Sequence, residues 1–114
     1  MKNIISLKNS REFGAVYNKR VSYANKYLIM YIAPNQKEEI RLGISVSKKV
    51  GNSVIRHRVT RLIRESYRLN QSKIQSGFDI VVVARPMAKD QSYWNIESAF
   101  LHLLKLHDIM KEQI

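Results

Sequence analysis

Eight of the chain's twenty lysines and arginines lie between Arg41 and Arg68, in the run RLGISVSKKVGNSVIRHRVTRLIRESYR, where Glu65 is the single acid. On a helix each residue advances by about 100°, so His57, Arg61, Arg64 and Arg68, spaced four, three and four apart, share one narrow stripe. The chemistry open to such a stripe is the binding of a polyanion. A helix face that only needs solubility interleaves signs, because like charges at i,i+4 destabilise by about as much as opposite ones stabilise, about 0.2–0.5 kcal/mol. Here Arg61, Arg64 and Arg68 follow one another on the stripe. Arginine is also preferred over lysine, at Arg56, Arg58, Arg61, Arg64 and Arg68. Its planar fork suits bidentate phosphate contacts and stacking on bases.

Other chemistries lack their residues. The chain has no cysteine, which removes disulfides, thiolate catalysis and cysteine-based zinc sites. His57 is remote in sequence from His102 and His107, whose spacing of five poorly matches one helical face, so all three read as ordinary surface or packing residues. Asp79 falls at a strand start, and Asp90, Glu97 and Asp108 are spread over polar positions, leaving no paired carboxylates for an independent enzyme. The net charge of +11 is unevenly placed. Residues 1–73 carry sixteen basic and four acidic groups, residues 74–114 four and five, a balance of +12 against −1. One positive face is therefore expected, with binding that weakens steeply in salt. No apolar run approaches the roughly 20 residues of a spanning helix, and the broken N-terminal stretch MKNIISLKNSREF does not read as a signal peptide. The expectation is a cytoplasmic protein with no membrane partner.

The elements that must hold the stripe can be read in outline. Asn9 or Ser10, followed by Glu12, Phe13, Val16 and Tyr17, predicts a capped first helix ending near Lys19 or Arg20. Lys26 to Ala33 alternates between two apolar sets and predicts a strand covered on both sides, before a turn at Pro34-Asn35. Ile40, Leu42, Ile44 and Val46 alternate with Arg41, Gly43, Ser45 and Ser47, predicting a second strand that pairs with the first as an antiparallel hairpin. Gly51 is read as allowing an unusual turn, with Asn52 or Ser53 capping the arginine helix. That helix buries Ile55, Val59, Leu62, Ile63, Ser66 and Leu69. Phe78 to Ala84 reads as an interior strand closed by Arg85-Pro86. Ser92 caps a last helix lined by Ile96, Ala99, Phe100, Leu103, Leu106 and Met110. The result is one α+β domain over residues 1–114, a sandwich in the order αββαβα.

The run quoted above, with LKNSREFGAVY before it and FDIVVVAR after it, resembles the protein subunit of bacterial ribonuclease P over nearly the whole chain. The resemblance implies a small mixed sheet packed by helices, like a domain of ribosomal small-subunit proteins, with a left-handed βαβ crossover. It implies partnership with a catalytic RNA and with precursor tRNA, whose 5′ leader the complex removes, the RNA carrying the active site and holding most of the Mg2+. By the same resemblance, Lys48, Lys49, Arg56, His57, Arg58, Arg61, Arg64 and Arg68 bind the catalytic RNA, and Phe13, Tyr17 and Tyr31 hold the single-stranded leader. His57 stands where the family has the central asparagine of an arginine-asparagine-arginine, and Thr60 where a lysine is common. Histidine can still donate and stack, whereas Thr60 removes a cation. A DNA-binding protein would fit the stripe by charge, but neither the aromatics nor the expected strands suit a helix-turn-helix, so no DNA partner is expected. A ribosomal or RNA-chaperone protein of the same fold is the alternative.

Overall fold

The apolar run Phe78–Ala84 forms the middle strand of a five-stranded mixed sheet, as its continuous Ile80-Val81-Val82-Val83 stretch requires. The computed structural model describes residues 3–112, so both ends of the expected 1–114 domain, residues 1–2 and 113–114, lie outside the described residues. In chain order the strands are β1 (Ile5–Ser6), β2 (Ser22–Ala24), β3 (Leu28–Pro34), β4 (Arg41–Ser45) and β5 (Phe78–Ala84), and the helices are α1 (Ser10–Asn18), α2 (Ser53–Asn70) and α3 (Tyr93–His107). Across the sheet the order is β1-β4-β5-β3-β2. The αββαβα order is present, with two short edge strands added. Two and three residues are too few for alternation to be read from sequence.

The expected hairpin between β3 and β4 is not formed. β5 lies between them, antiparallel to β3 from Leu28↔Ala84 to Pro34↔Phe78 and parallel to β4 from Arg41↔Asp79 to Ser45↔Val83. The most apolar strand needs partners on both edges and cover on both faces, and that requirement overrides pairing between neighbours in sequence. β3 instead makes its hairpin with β2, through a turn in which Asn25 Oδ1 accepts from the N–H groups of Tyr27 and Leu28 at 3.2 and 3.0 Å.

The sheet has two unlike faces. Leu28, Met30, Ile32, Leu42, Ile80 and Val82 bury one of them under α2 and α3, together with Val59, Ile63 and Tyr67 of α2 and Ile96, Phe100, Leu103 and Leu104 of α3. On the other face α1 builds a smaller cluster from Leu7, Val16, Ala33 and Val81, flanked by Phe13, Tyr17, Tyr31 and Val83. Both long helices start where the sequence indicates. Asn52 Oδ1 accepts from Ile55 N–H at 3.0 Å, and Ser92 Oγ from Asn95 N–H at 3.2 Å. α1 begins with reciprocal bonds, Glu12 N–H to Asn9 Oδ1 and Lys8 N–H to Glu12 Oε1.

Three side-chain expectations change. Leu69 is 51% exposed, and the buried arc of α2 is completed instead by Tyr67 and Asn70, because α3 packs across one flank of the helix only. Leu106 is exposed and Leu104 takes its place, while α3 ends before Met110, at Asp108 in the left-handed conformation. Gly51 does not have a left-handed backbone. It is glycine for proximity, since a Cβ there would lie 2.8 Å from Ile55 Cγ2.

Candidate nucleic-acid interface

α2 is anchored by its apolar arc, and that fixes where its cations point. His57, Arg61 and Arg64 are exposed, as the angular reading requires. Arg68 continues the stripe but shares its charge with Glu65 one turn back, through bonds of 2.5 and 2.9 Å that hold the Glu65 carboxyl below its ordinary range. Arg58 is on the flank toward α3. Its guanidinium donates to the carbonyls of Gln91 at 2.7 Å and Lys89 at 3.4 Å, tying α2 to the one-turn 3-10 helix Pro86–Asp90. Arg56 faces the opposite flank, toward β4. Its Nε is buried with no hydrogen-bond partner, in a recess of about 330 Å³ lined also by Ile44, Val46, Ser53, His57 and Thr60. A buried donor without an acceptor costs about 1–3 kcal/mol, so this recess favours an incoming oxygen. His57 lines both that recess and a second one of about 430 Å³ with Ser53, Val54, Arg58 and Arg61. Thr60 donates its hydroxyl to the Arg56 carbonyl at 2.8 Å. Lys48 and Lys49 stand exposed on the turn before α2, which is pinned by buried Val50 and its 3.0 Å bond to the Ser47 carbonyl.

Phe13, Tyr17 and Tyr31 meet on the other face of the sheet. In register, Ser22, Tyr31, Val81 and Gly43 form one row across four strands, and Ala24, Ile29, Val83 and Ser45 the next. Partners in register share a face, so Tyr31 rises from a floor otherwise made of small or β-branched side chains. Tyr17 of α1 meets it edge-on, with centroids 4.8 Å apart at 82°, and Phe13 lies 6.5 Å from Tyr17. All three rings are half-buried, so they serve neither as full core nor as free surface. Burial raises the Tyr17 hydroxyl pKa, against a hydrogen bond with Ser45 that lowers it. Gly43 is what lets α1 approach: a Cβ there would sit 2.7 Å from Phe13 Cζ. Along α1 a recess of about 480 Å³ is lined by Lys8, Asn9, Ser10, Phe13, Gly14 and Tyr17. The face is an open trough walled by α1.

One end of that trough is fixed by charges that sequence reading missed. Arg41 grips Asp79 through Nε and Nη2 at 2.8 and 2.7 Å and reaches Glu12 of α1 through Nη1 at 2.9 Å. Asn35 Nδ2 adds a bond to Asp79 at 2.9 Å. For Asp79, burial acts to raise the carboxyl pKa, but the bonds from Arg41 and Asn35 outweigh it and the pKa is lowered. Glu12 is lowered by the Lys8 N–H and by Arg41. Arg41 and Asp79 occupy matching positions of β4 and β5, a register that the sequence does not announce.

The chain is similar to known proteins in both sequence and fold. The family model described as Ribonuclease P matches residues 1–107. The ribonuclease P protein component of Lachnoclostridium phytofermentans is 62% identical over 105 residues, covering 92% of this chain and 90% of that protein. The solved RNase P protein of Staphylococcus aureus is 36% identical with a TM-score of 0.87, covering 96% of this chain and 100% of that one. The RNase P protein of Thermotoga maritima is 31% identical with a TM-score of 0.81, covering 89% and 96%.

Proposed function

The chain belongs to the ribonuclease P protein family, and we propose that it binds the catalytic RNA of a bacterial ribonuclease P through α2 while holding the 5′ leader of precursor tRNA in the trough beside α1. The observation that carries this reading is the separation of two surfaces of different chemistry. The cationic one, with Arg61 and Arg64 exposed and Arg56 carrying an unmet donor, is anchored on the sheet face that α2 and α3 cover. The aromatic one, with Phe13, Tyr17 and Tyr31, is on the opposite face. A single duplex ligand needs cations and has no use for a remote aromatic floor. Two RNA partners use both.

The trough suits a strand whose sequence varies. Aromatic faces stack bases at about 1–3 kcal/mol each with little regard for identity. Ala24 and Ser45 leave the floor low beside the rings, where bases can lie on it. The arginine helix adds affinity through phosphates, and its cations reduce the repulsion between two RNAs brought together. Hydrolysis belongs to the RNA in this reading. Among the described residues no group of three or more histidines, cysteines or carboxylates could hold a metal ion. The carboxylates that do converge, Glu12 and Asp79, converge on Arg41. We assign the Mg2+ of the holoenzyme mainly to the RNA. Among the described residues, no helix is long and apolar enough to cross a membrane.

The test is reconstitution with a bacterial catalytic RNA. The chain alone leaves precursor tRNA intact, and adding it to the RNA lowers the magnesium needed for leader removal. Correct cleavage by RNA-free, nuclease-controlled protein would falsify this assignment.

A further inference from the structure

We propose that Trp94, braced by Tyr93 at the first turn of α3, is a stacking ledge for an unpaired base of the catalytic RNA; the proposal rests on the reading of α2 as the surface for that RNA. Trp94 is the chain's one tryptophan and is 73% exposed. The fold does not need it there, because α3 is held by Ile96, Phe100, Leu103 and Leu104. Yet its setting is rigid. The Tyr93 ring meets the indole at 5.2 Å and 74°. The Tyr93 hydroxyl donates to Glu97 at 2.8 Å, and the same Glu97 oxygen accepts from Asn70 of α2 at 3.0 Å. On its other side the start of α3 is tied to α2 through Arg58 and Gln91, and Gln91 Oε1 accepts from Asn95 at 2.9 Å. An exposed indole is thus fixed between two points of attachment to the arginine helix.

Charge selects the occupant. Of the carboxylates packed between the two helices, Glu65 is paired with Arg68, and Glu97 is held by hydrogen bonds from Asn70 and Tyr93. Asp90 accepts from the Gln91 amide. Arg61 and Arg64 are exposed on α2, the helix to which this end of α3 is tied, and Lys89 is exposed just before it. A bare aromatic face on an element tied to a cationic helix is a pairing that can hold a base and its phosphate. A second protein surface would have to bury those cations. The catalytic RNA is favoured over the leader because the trough opens on the other face of the sheet, under α1.

The single indole is also the reporter. Catalytic RNA titrated into the full chain should quench its fluorescence and shield it from acrylamide, with the same midpoint as the anisotropy of end-labelled RNA. Trp94→Ala should weaken assembly about fivefold or more, the low end of one stacked base at tenfold per 1.4 kcal/mol, and Trp94→Phe should retain most of it, both with unchanged melting temperature. If anisotropy reports assembly while the indole stays bright and accessible, the ledge is wrong and the role of α2 stands. Shielding that appears only when precursor tRNA is added, or with protein concentration in the absence of RNA, likewise overturns it. Absence of any RNA binding would overturn the reading of α2 itself.

Discussion

Replacing Gly43 by alanine puts a methyl group where the edge of the Phe13 ring now lies. The new Cβ would be 2.7 Å from Phe13 Cζ, 2.8 Å from Cε2 and 3.1 Å from Leu7 Cδ1. Carbon atoms pack best at about 3.5–4.0 Å, so the ring must retreat by roughly 0.8 Å or more. Overpacking of this kind costs about 1–3 kcal/mol. Phe13 is half-buried and can swing outward, but Leu7 is buried and cannot, which favours the middle of that range. Alanine also regains about 0.5–1 kcal/mol over glycine inside a strand. The net expectation is a destabilisation of about 1 kcal/mol. The functional effect should be larger than the stability effect suggests, because the displaced ring walls the trough next to Tyr17. Urea denaturation of the free chain gives the first quantity, and affinity of the reconstituted holoenzyme for precursor and mature tRNA gives the second. Precursor binding should weaken while mature tRNA binding holds, and Phe13→Leu in the Gly43→Ala background should restore stability. Unchanged stability together with unchanged precursor affinity would refute the packing of α1 on β4 as the element shaping the trough.

Three further outcomes follow from the same geometry. Arg61→Ala with Arg64→Ala should leave the circular dichroism spectrum intact, weaken assembly with the catalytic RNA, and flatten the log-affinity against log-salt slope by about 0.7–0.9 for each phosphate that is no longer neutralised; an unfolded double variant would make these arginines structural. Arg58→Ala should behave differently and lower thermal stability by about 1 kcal/mol, since it removes charge-assisted bonds to the Gln91 and Lys89 carbonyls; a melting temperature equal to wild type would show that the clamp contributes nothing. The Arg41 network should make the fold acid-sensitive. Glu12 and Asp79 have folded pKa values lowered from 4.5 and 3.8, so their contribution is full above those values and disappears as pH falls through the lower folded ones. Urea midpoints measured from neutral pH down to about pH 3 should fall more for wild type than for Arg41→Met, and parallel curves would mean that the network is not the source.

What the sequence made legible depended on how locally each feature is determined. α2 and its cap follow from a periodic pattern and one asparagine, both contained within the helix itself. β5 is evident from four consecutive β-branched residues. The false hairpin arose because β3 and β4 are neighbours in sequence, while their separation is set by a strand that starts at Phe78. The Glu12–Arg41–Asp79 network joins residues 29 and 38 positions apart, so nothing local announces it. Within the candidate site, the angular stripe placed His57, Arg61 and Arg64 in solvent and left Arg58 off, but what Arg58 binds was not legible, because its partners are carbonyls beyond β5. Leu69 was misplaced for a similar reason: the width of the buried arc depends on where α3 crosses. Phe13, Tyr17 and Tyr31 come together as the resemblance implied. The reason they can do so, a glycine under a ring, needs the register of the sheet.

The central claim is that leader and catalytic RNA occupy different faces, and Tyr31→Ala tests it most directly. Its ring rises from the middle row of the trough and meets Tyr17, while α2 lies on the far face. The measurement is the affinity of the reconstituted holoenzyme for precursor tRNA and for mature tRNA, which lacks the leader. Loss of one stacked base predicts weakening of about 1–3 kcal/mol for the precursor, with mature tRNA binding and assembly with the catalytic RNA unchanged. Equal weakening toward both substrates, or none toward the precursor, would contradict the assignment of the trough to the leader.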